Sequence, residues 1–317
     1  MATRLSPTSV TSLTYVPIRR ETPAVLALVR ERAAAARLAE ALRAGAPGGA
    51  QAGMPYAGAT LRVVTHIAEL HDALAARPYA MIVVEPRDAD GVPTEEAIRA
   101  LRARYPELPV VGHVAAQPGA SPDVLALARA GIHELIMAGL DDVAHVLRNT
   151  LARAVRRSTA ERVLTGVMPL VPPAAVPVLR YCLEHATAAP DVPALARALG
   201  VSRQTLATRM RAAGLPGPRA LSVWCRLLIA AELLAGDGRS VDQVALTLDF
   251  PSANAFRNLL RRYADLGPAD LRRDHGAALR AAFHDALAGR RPHPADALDA
   301  VGVHATVGAD EDGLVPS

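Results

Sequence analysis

Two stretches of the sequence, ALARALGVSRQTLATRMRAAG (194–214) and VDQVALTLDFPSANAFRNLLRRYA (241–264), decide the fold of the C-terminal part of the chain. Each contains a short helix, which in the first stretch is rich in small residues, then a turn and a second helix that starts after a serine, Ser202 or Ser252, at the N-cap position. Gly200 suits the tight turn of the first stretch. Apolar residues recur at helical spacing in the two second helices: Leu206, Met210, Phe256, Leu259, Leu260 and Tyr263. We therefore predict two helix-turn-helix units in tandem.

A long helix is predicted between the two units, over 218–235 (PRALSVWCRLLIAAELLA), before Gly236. At a rise of 1.5 Å per residue, this helix is roughly 27 Å long. That length suits two recognition helices in successive major grooves, which lie about 34 Å apart. Its apolar ridge, which includes Trp224 and Leu228, is most simply a core that both units share.

The outer faces of the two second helices carry arginine, amide and hydroxyl side chains. Such side chains bind base edges and phosphates in a major groove. The candidate DNA-binding residues are Ser202, Arg203, Gln204, Thr205, Thr208, Arg211, Ser252, Asn254, Arg257, Asn258, Arg261 and Arg262. Charge supports this choice, because residues 151–275 hold 17 arginines against 10 acidic residues while residues 1–150 are balanced.

The N-terminal half alternates short apolar runs with amphipathic helices. Continuous apolar strands of this kind are typical of a parallel sheet covered on both faces. Strands are predicted at 24–29, 61–66, 80–85, 108–114 and 132–137, and helices at 30–44, 67–76, 94–105, 121–130 and 140–157. Five such units indicate a flavodoxin-like doubly wound domain. The fold class is thus α/β plus all-α.

Residues 174–273 resemble the DNA-binding domain of the AraC/XylS family of bacterial transcription regulators. The resemblance lies in LARALGVSRQTL, CRLLIAAELL, VDQVALTLDFPSANAFRNLLRRY and the closing LGPADLRR. It implies that base-facing positions fall on Gln204, Thr205, Ala207, Thr208, Ala253, Asn254, Ala255 and Asn258. This sequence departs from the family at Thr208 and Asn258, where many members carry arginine, and at Asp249, which replaces the usual turn glycine.

Residues 23–157 resemble the receiver domain of response regulators, through the order of elements, Glu85-Pro86 and AGIHELIMAG (130–139). The chemistry of a phosphorylated receiver is missing. Arg30-Glu31-Arg32 stands where a receiver has its acidic pair, and Glu85 stands where it has the acceptor aspartate. The stretch 112–114 takes the place of the hydroxyl residue, and Ala138 that of the lysine. Without the acidic pair, Mg²⁺ has no ligands, so we predict a pseudo-receiver without phosphotransfer. An unrelated doubly wound domain is the alternative.

Other classes of function lack support in the sequence. The chain contains no G-x-x-x-x-G-K-[ST], G-x-G-x-x-G or G-x-S-x-G motif, so we predict no enzyme and no cofactor. Its two cysteines, Cys182 and Cys225, and its scattered histidines do not suggest a metal site. We expect His113 and Glu85 to lie together at the carboxyl edge of the sheet, where such folds bind ligands. A catalytic pair is one interpretation, but they are more simply the polar remnant of a lost phosphorylation pocket. The N-terminus lacks a signal peptide and no apolar stretch is long enough for a membrane span, which predicts a cytoplasmic protein.

These observations divide the chain into a disordered leader (1–22), a pseudo-receiver-like domain (23–157), a linker (158–173), an AraC-type domain (174–273) and a largely disordered extension (274–317). We predict a DNA-binding transcriptional regulator. Its expected partners are double-stranded promoter DNA, a second copy in a homodimer and RNA polymerase. The alternatives are a signalling adaptor whose helical domain binds protein, and, less favoured, a phosphorylated response regulator.

Overall fold

A computed structural model describes residues 24–43, 59–187, 191–236 and 239–289. The predicted leader, residues 44–58 between the first predicted helix and the second predicted strand, and the chain from residue 290 onward lie outside these ranges.

The N-terminal part forms a five-stranded parallel sheet. The strands are β1 (Ala24–Leu28), β2 (Thr60–Val64), β3 (Met81–Val84), β4 (Val110–Ala115) and β5 (Glu134–Ala138). Their order is β2-β1-β3-β4-β5, and every neighbouring pair is parallel. This order is that of the flavodoxin-like, receiver-type fold, as predicted.

Helices cover both faces of this sheet. They are α1 (Arg32–Arg43), α2 (Ile67–Ala76), α3 (Glu95–Arg104), α4 (Ser121–Ala130) and α5 (Ala144–Val167). One apolar layer joins Leu38 of α1 and Leu151 of α5 to the sheet. The other joins Leu70, Ile98 and Leu127, from α2, α3 and α4. Burial on both faces explains why the central strands are apolar without alternation.

The predicted linker at 158–173 is wrong over most of its length. Helix α5 continues to Val167, and a short 3-10 turn follows at Met168–Leu170. Val163 and Val167 of this extension are buried in the core of the C-terminal part. The prolines of this segment suggested an inter-domain linker, but its first proline, Pro169, comes only after the helix has ended. One helix therefore belongs to both domains.

The C-terminal part is entirely helical, as predicted. Its helices are α6 (Val176–Glu184), α7 (Val192–Ala198), α8 (Arg203–Ala212), α9 (Pro218–Gly236), α10 (Val241–Thr247), α11 (Ala253–Ala264), α12 (Pro268–Arg273) and α13 (Ala277–Leu287). Trp224 of α9 lies at the centre of the shared core, 5.4 Å from the ring of Tyr263 and 5.5 Å from that of Phe283.

Helix α13 corrects the first part of the predicted largely disordered extension (274–317), while residues 290–317 lie outside the described ranges. Its Leu279 and Phe283 are fully buried in the C-terminal core. Gly276 precedes this helix with φ +73°, and a Cβ there would lie 2.9 Å from Cβ of Ala231. Glycine is thus required both by the backbone conformation and by the close approach of α13 to α9.

Candidate nucleic-acid interface

The first helix-turn-helix unit consists of α7, a turn and α8. Gly200 adopts φ +64° in the turn, a conformation that glycine accepts without strain. The hydroxyl of Ser202 accepts a hydrogen bond of 3.0 Å from the backbone N–H of Thr205, which caps α8. Leu206 and Met210 are buried against the shared core. Burial of these two side chains leaves the opposite face of α8 in solvent.

The second unit consists of α10, a turn and α11. Ser240 and Gln243 form a reciprocal capping box at the start of α10. Ser252 caps α11 by accepting a hydrogen bond of 3.0 Å from the backbone N–H of Ala255. Asp249 adopts φ +55° in the turn, so this aspartate takes the left-handed conformation that glycine would favour.

The structure places every predicted DNA-binding side chain on the surface. All of them are exposed: Ser202, Arg203, Gln204, Thr205, Thr208, Arg211, Ser252, Asn254, Arg257, Asn258, Arg261 and Arg262. Two of their hydroxyls are already engaged with each other, because Ser202 Oγ lies 2.8 Å from Thr205 Oγ1. The contact of these residues with DNA stays a prediction.

The predicted inward positions are almost all buried. Phe256, Leu260 and Tyr263 of α11 belong to the core, whereas Leu259 is only half-buried. The alanines at 207, 253 and 255, which the family resemblance placed against bases, are also half-buried. These short side chains lie between the buried and exposed faces of their helices.

Sequence reasoning left out several arginines of this domain. Arg209 is exposed on α8, five residues after Gln204, and Arg197 and Arg219 are exposed on α7 and α9. Arg209 follows the exposed Thr205 by four residues, so helical spacing from Thr205 could have identified it. Arg226, by contrast, is half-buried on α9 and forms contacts that no spacing in the sequence indicates.

A second polar cluster lies at the carboxyl ends of the strands in the N-terminal domain. Arg30 donates to Glu85 Oε2 from its side-chain Nε at 2.8 Å and from its backbone N–H at 3.3 Å. His113 Nδ1 lies 3.6 Å from Glu85 Oε1, so the predicted proximity of His113 and Glu85 is confirmed. Burial alone would raise the pKa of Glu85, but the interactions with His113 and Arg30 outweigh it and lower that pKa below its usual value.

This cluster is an ion pair between Arg30 and Glu85 with His113 beside it. Glu85 and His113 are buried, and the guanidinium of Arg30 stays half in solvent beside them. Within the described ranges, no group of three or more histidine, cysteine, aspartate or glutamate side chains is arranged to hold a metal ion. Nor does any helix in that part of the chain combine the length and apolar character that crossing a bilayer requires.

Comparison with known proteins agrees with this geometry at the C-terminus. A family model described as a helix-turn-helix domain matches residues 195–274, which span both units and α12. Curated proteins give no match to the chain.

Two solved structures are similar to the chain. One is the signal receiver domain of an HD domain-containing protein from Pseudomonas fluorescens Pf-5, with 15% identity over 46% of this chain and 96% of that one, at a TM-score of 0.35. Another is full-length FixJ from B. japonicum, with 15% identity over 63% of this chain and 95% of that one, at a TM-score of 0.32.

The fold and the family match together define the class of the protein. Residues 195–274 form a helix-turn-helix domain, in keeping with the resemblance of this part to the AraC/XylS family, and such a domain supports a DNA-binding regulator. The strand order of its N-terminal sheet gives that part a receiver-type fold.

Proposed function

We propose that the protein is a cytoplasmic transcriptional regulator that recognises promoter DNA by sequence, with α8 and α11 in successive major grooves. The observation that carries this proposal is the division of each recognition helix into a buried apolar face and an exposed face of arginine, amide and hydroxyl side chains. Side chains of those types distinguish base pairs in the major groove and neutralise phosphates. The DNA-binding unit comprises residues 174–273, to which we add α13 because Phe283 completes its core.

A salt titration tests DNA binding against the adaptor alternative. The probe is a duplex selected from a random library by the full-length protein, compared with a scrambled duplex of the same composition. Affinity for both should fall steeply with salt, because bound arginines release counterions, and the selected duplex should bind at least about 10³-fold more tightly. Absence of salt-dependent binding to any duplex would instead favour a helical domain that binds protein.

We also propose that the N-terminal domain acts without phosphotransfer. The hydrogen bonds from Arg30 to Glu85 support this, because they occupy the carboxylate that stands at the acceptor position. The full-length protein incubated with a small phosphodonor and Mg²⁺ should keep its intact mass. A phosphoryl adduct that Glu85→Ala abolishes would overturn the proposal.

The same domain is proposed to form a homodimer, since a paired DNA-binding unit gains affinity. The exposed apolar side chains of Leu140 and Val143, 71% and 56% accessible, support self-association through this domain. Light scattering of the full chain should show a dimer that Leu140→Asp weakens, whereas Val92→Asp, at another exposed valine, should not. A contact with RNA polymerase at the promoter completes the proposed function.

A further inference from the structure

Arg226 joins three separate parts of the C-terminal domain. It lies in the middle of α9, and its Nε donates a hydrogen bond of 3.1 Å to the carbonyl of Ala186, just after α6. Its guanidinium carbon also lies 5.1 Å from the centre of the Phe250 ring, in the turn of the second helix-turn-helix unit. Arginine can form both contacts at once because its guanidinium is planar and carries donors at its edge.

Each of the two partners of Arg226, Phe250 and Ala186, packs against one recognition unit. Phe250 packs at 5.1 Å against the ring of Phe256, which is fully buried on recognition helix α11. Ala186 is buried in the core that also holds Leu195 of α7 and Leu206 of α8. The half-buried guanidinium of Arg226 thus links Ala186, which packs with the first unit, to Phe250, which packs with the second.

The unusual turn residue belongs to the same arrangement. Asp249 immediately precedes Phe250 and holds the left-handed conformation, with its side chain exposed. Burial lowers the pKa of Arg226, and the negative charge of Asp249 counteracts that effect. Asp249 therefore provides a negative charge, which glycine could not, near the half-buried Arg226 that contacts this turn.

We propose that Arg226 is a positioning residue that fixes the rotation of the two recognition helices relative to each other, and so sets the spacing of the two DNA segments that the protein accepts. This inference rests on the proposed function. The length of α9 fixes how far apart the units are, but their rotation about that helix depends on side chains that bridge them. One inserted base pair shifts the second segment by about 3.4 Å and about 34°, so rotation decides whether both helices can bind.

The test compares three duplexes: the one selected by the wild-type protein, and the same duplex with one base pair inserted or deleted between the two protected segments. The wild type should lose about tenfold in affinity on either altered duplex, a loss comparable with that from one mismatched base pair. Arg226→Met keeps the apolar stem but removes the hydrogen bond and the guanidinium. It should bind the selected duplex more weakly and discriminate between the three duplexes by only about threefold or less.

Two further variants make the result specific. Arg180→Met removes an exposed arginine of α6 and should leave the spacing preference at the wild-type value. Phe250→Leu keeps an apolar side chain in the turn but removes the ring that Arg226 covers, and should relax the spacing preference as Arg226→Met does. Thermal melting, monitored by circular dichroism, identifies any variant that fails to fold. The conclusion on Arg226 is then drawn from the variant that folds.

The outcomes separate this inference from the function on which it rests. If a folded Arg226→Met or Phe250→Leu lost affinity by the same factor on all three duplexes, or kept the wild-type preference, the positioning role would be wrong while DNA recognition stood. If the wild-type protein bound no duplex, the proposed function itself would fail.

Discussion

Arg162 of α5 forms an ion pair with Glu232 of α9, with 2.8 Å between its Nε and Glu232 Oε1. The same guanidinium donates a hydrogen bond of 3.0 Å to the carbonyl of Glu107, in the segment that leads into β4. One side chain thus contacts both the sheet domain and the long helix between the two recognition units. Since α5 also packs into both cores, through Leu151 at one end and Val163 at the other, the two domains share a helix and should be coupled in stability.

We expect the two domains to unfold together. Fluorescence of the single tryptophan, Trp224, reports only the C-terminal core, whereas far-ultraviolet circular dichroism reports both domains. Their urea midpoints should coincide in the wild type. Arg156→Pro, in the interior of α5, should separate the two midpoints because proline removes a helical hydrogen bond and costs about 3 kcal/mol. Arg156→Ala, which loses the same side chain but keeps the helix, should leave the midpoints together; separate midpoints already in the wild type would refute the coupling.

The junction between the domains should also respond to acid. His133 Nε2 lies 3.5 Å from Glu161 Oε2, and Arg102 donates a hydrogen bond of 2.6 Å to the same oxygen. Hydrogen bonding with His133 is the main reason that the pKa of Glu161 falls from 4.5 to about 2; burial opposes it and Arg102 adds to it. A pKa lowered in the folded state contributes stability that is fully present above pH 4.5 and is lost as the pH falls toward 2.

Glu161→Gln removes this pH-dependent contribution. Between pH 6 and pH 3, the free energy of unfolding from urea titrations should fall further in the wild type than in Glu161→Gln. The difference should be about 1 kcal/mol or less, because the carboxylate is partly exposed and solvent screens it. Equal losses in the two proteins would show that Glu161 is not held ionised by His133 and Arg102.

Helix α13 should be an integral part of the DNA-binding domain. Phe283 is fully buried beside Trp224, so Phe283→Ala should cost about 3–5 kcal/mol in the free energy of unfolding. Ala281→Ser, on the exposed side of the same helix, should change it by less than about 0.5 kcal/mol. Denaturant titration followed through Trp224 measures both. A cost below about 1 kcal/mol for Phe283→Ala would mean that α13 does not complete the core.

The sequence was informative where burial follows a simple period. Residues close together in the sequence determine the apolar runs of β1, β3 and β4 and the serine caps of α8 and α11. The sheet and both recognition helices could therefore be predicted. In α13, Leu279, Ala282 and Phe283 follow helical spacing, but the acidic, proline-rich sequence after them suggested disorder. The prolines near residue 170 similarly led to a predicted end of α5 about ten residues before its actual end at Val167. Arg226 could not be assigned a role, because its partners Ala186 and Phe250 are 40 and 24 residues away and meet it only through tertiary packing.

The two recognition helices should contribute to DNA binding in different ways. Gln204 is exposed in the first turn of α8, where an amide can form two hydrogen bonds with one base. Gln204→Ala should therefore cost about 1–3 kcal/mol on the selected duplex and little on the scrambled one. Arg261 is exposed in the last turn of α11, where we expect its positive charge to meet a phosphate. Arg261→Ala should weaken binding to both duplexes and reduce the slope of log affinity against log salt by about one.

Titration of both duplexes at several salt concentrations tests the two variants together. Arg180→Ala, on α6 outside the two recognition helices, is the control for the loss of one exposed arginine and should match the wild type. A uniform loss for Gln204→Ala, or a loss for Arg261→Ala confined to the selected duplex, would mean that the helices approach DNA differently from our proposal. If both variants stayed folded and bound both duplexes like the wild type, neither residue would lie at the interface, and DNA would be bound by another surface of the protein.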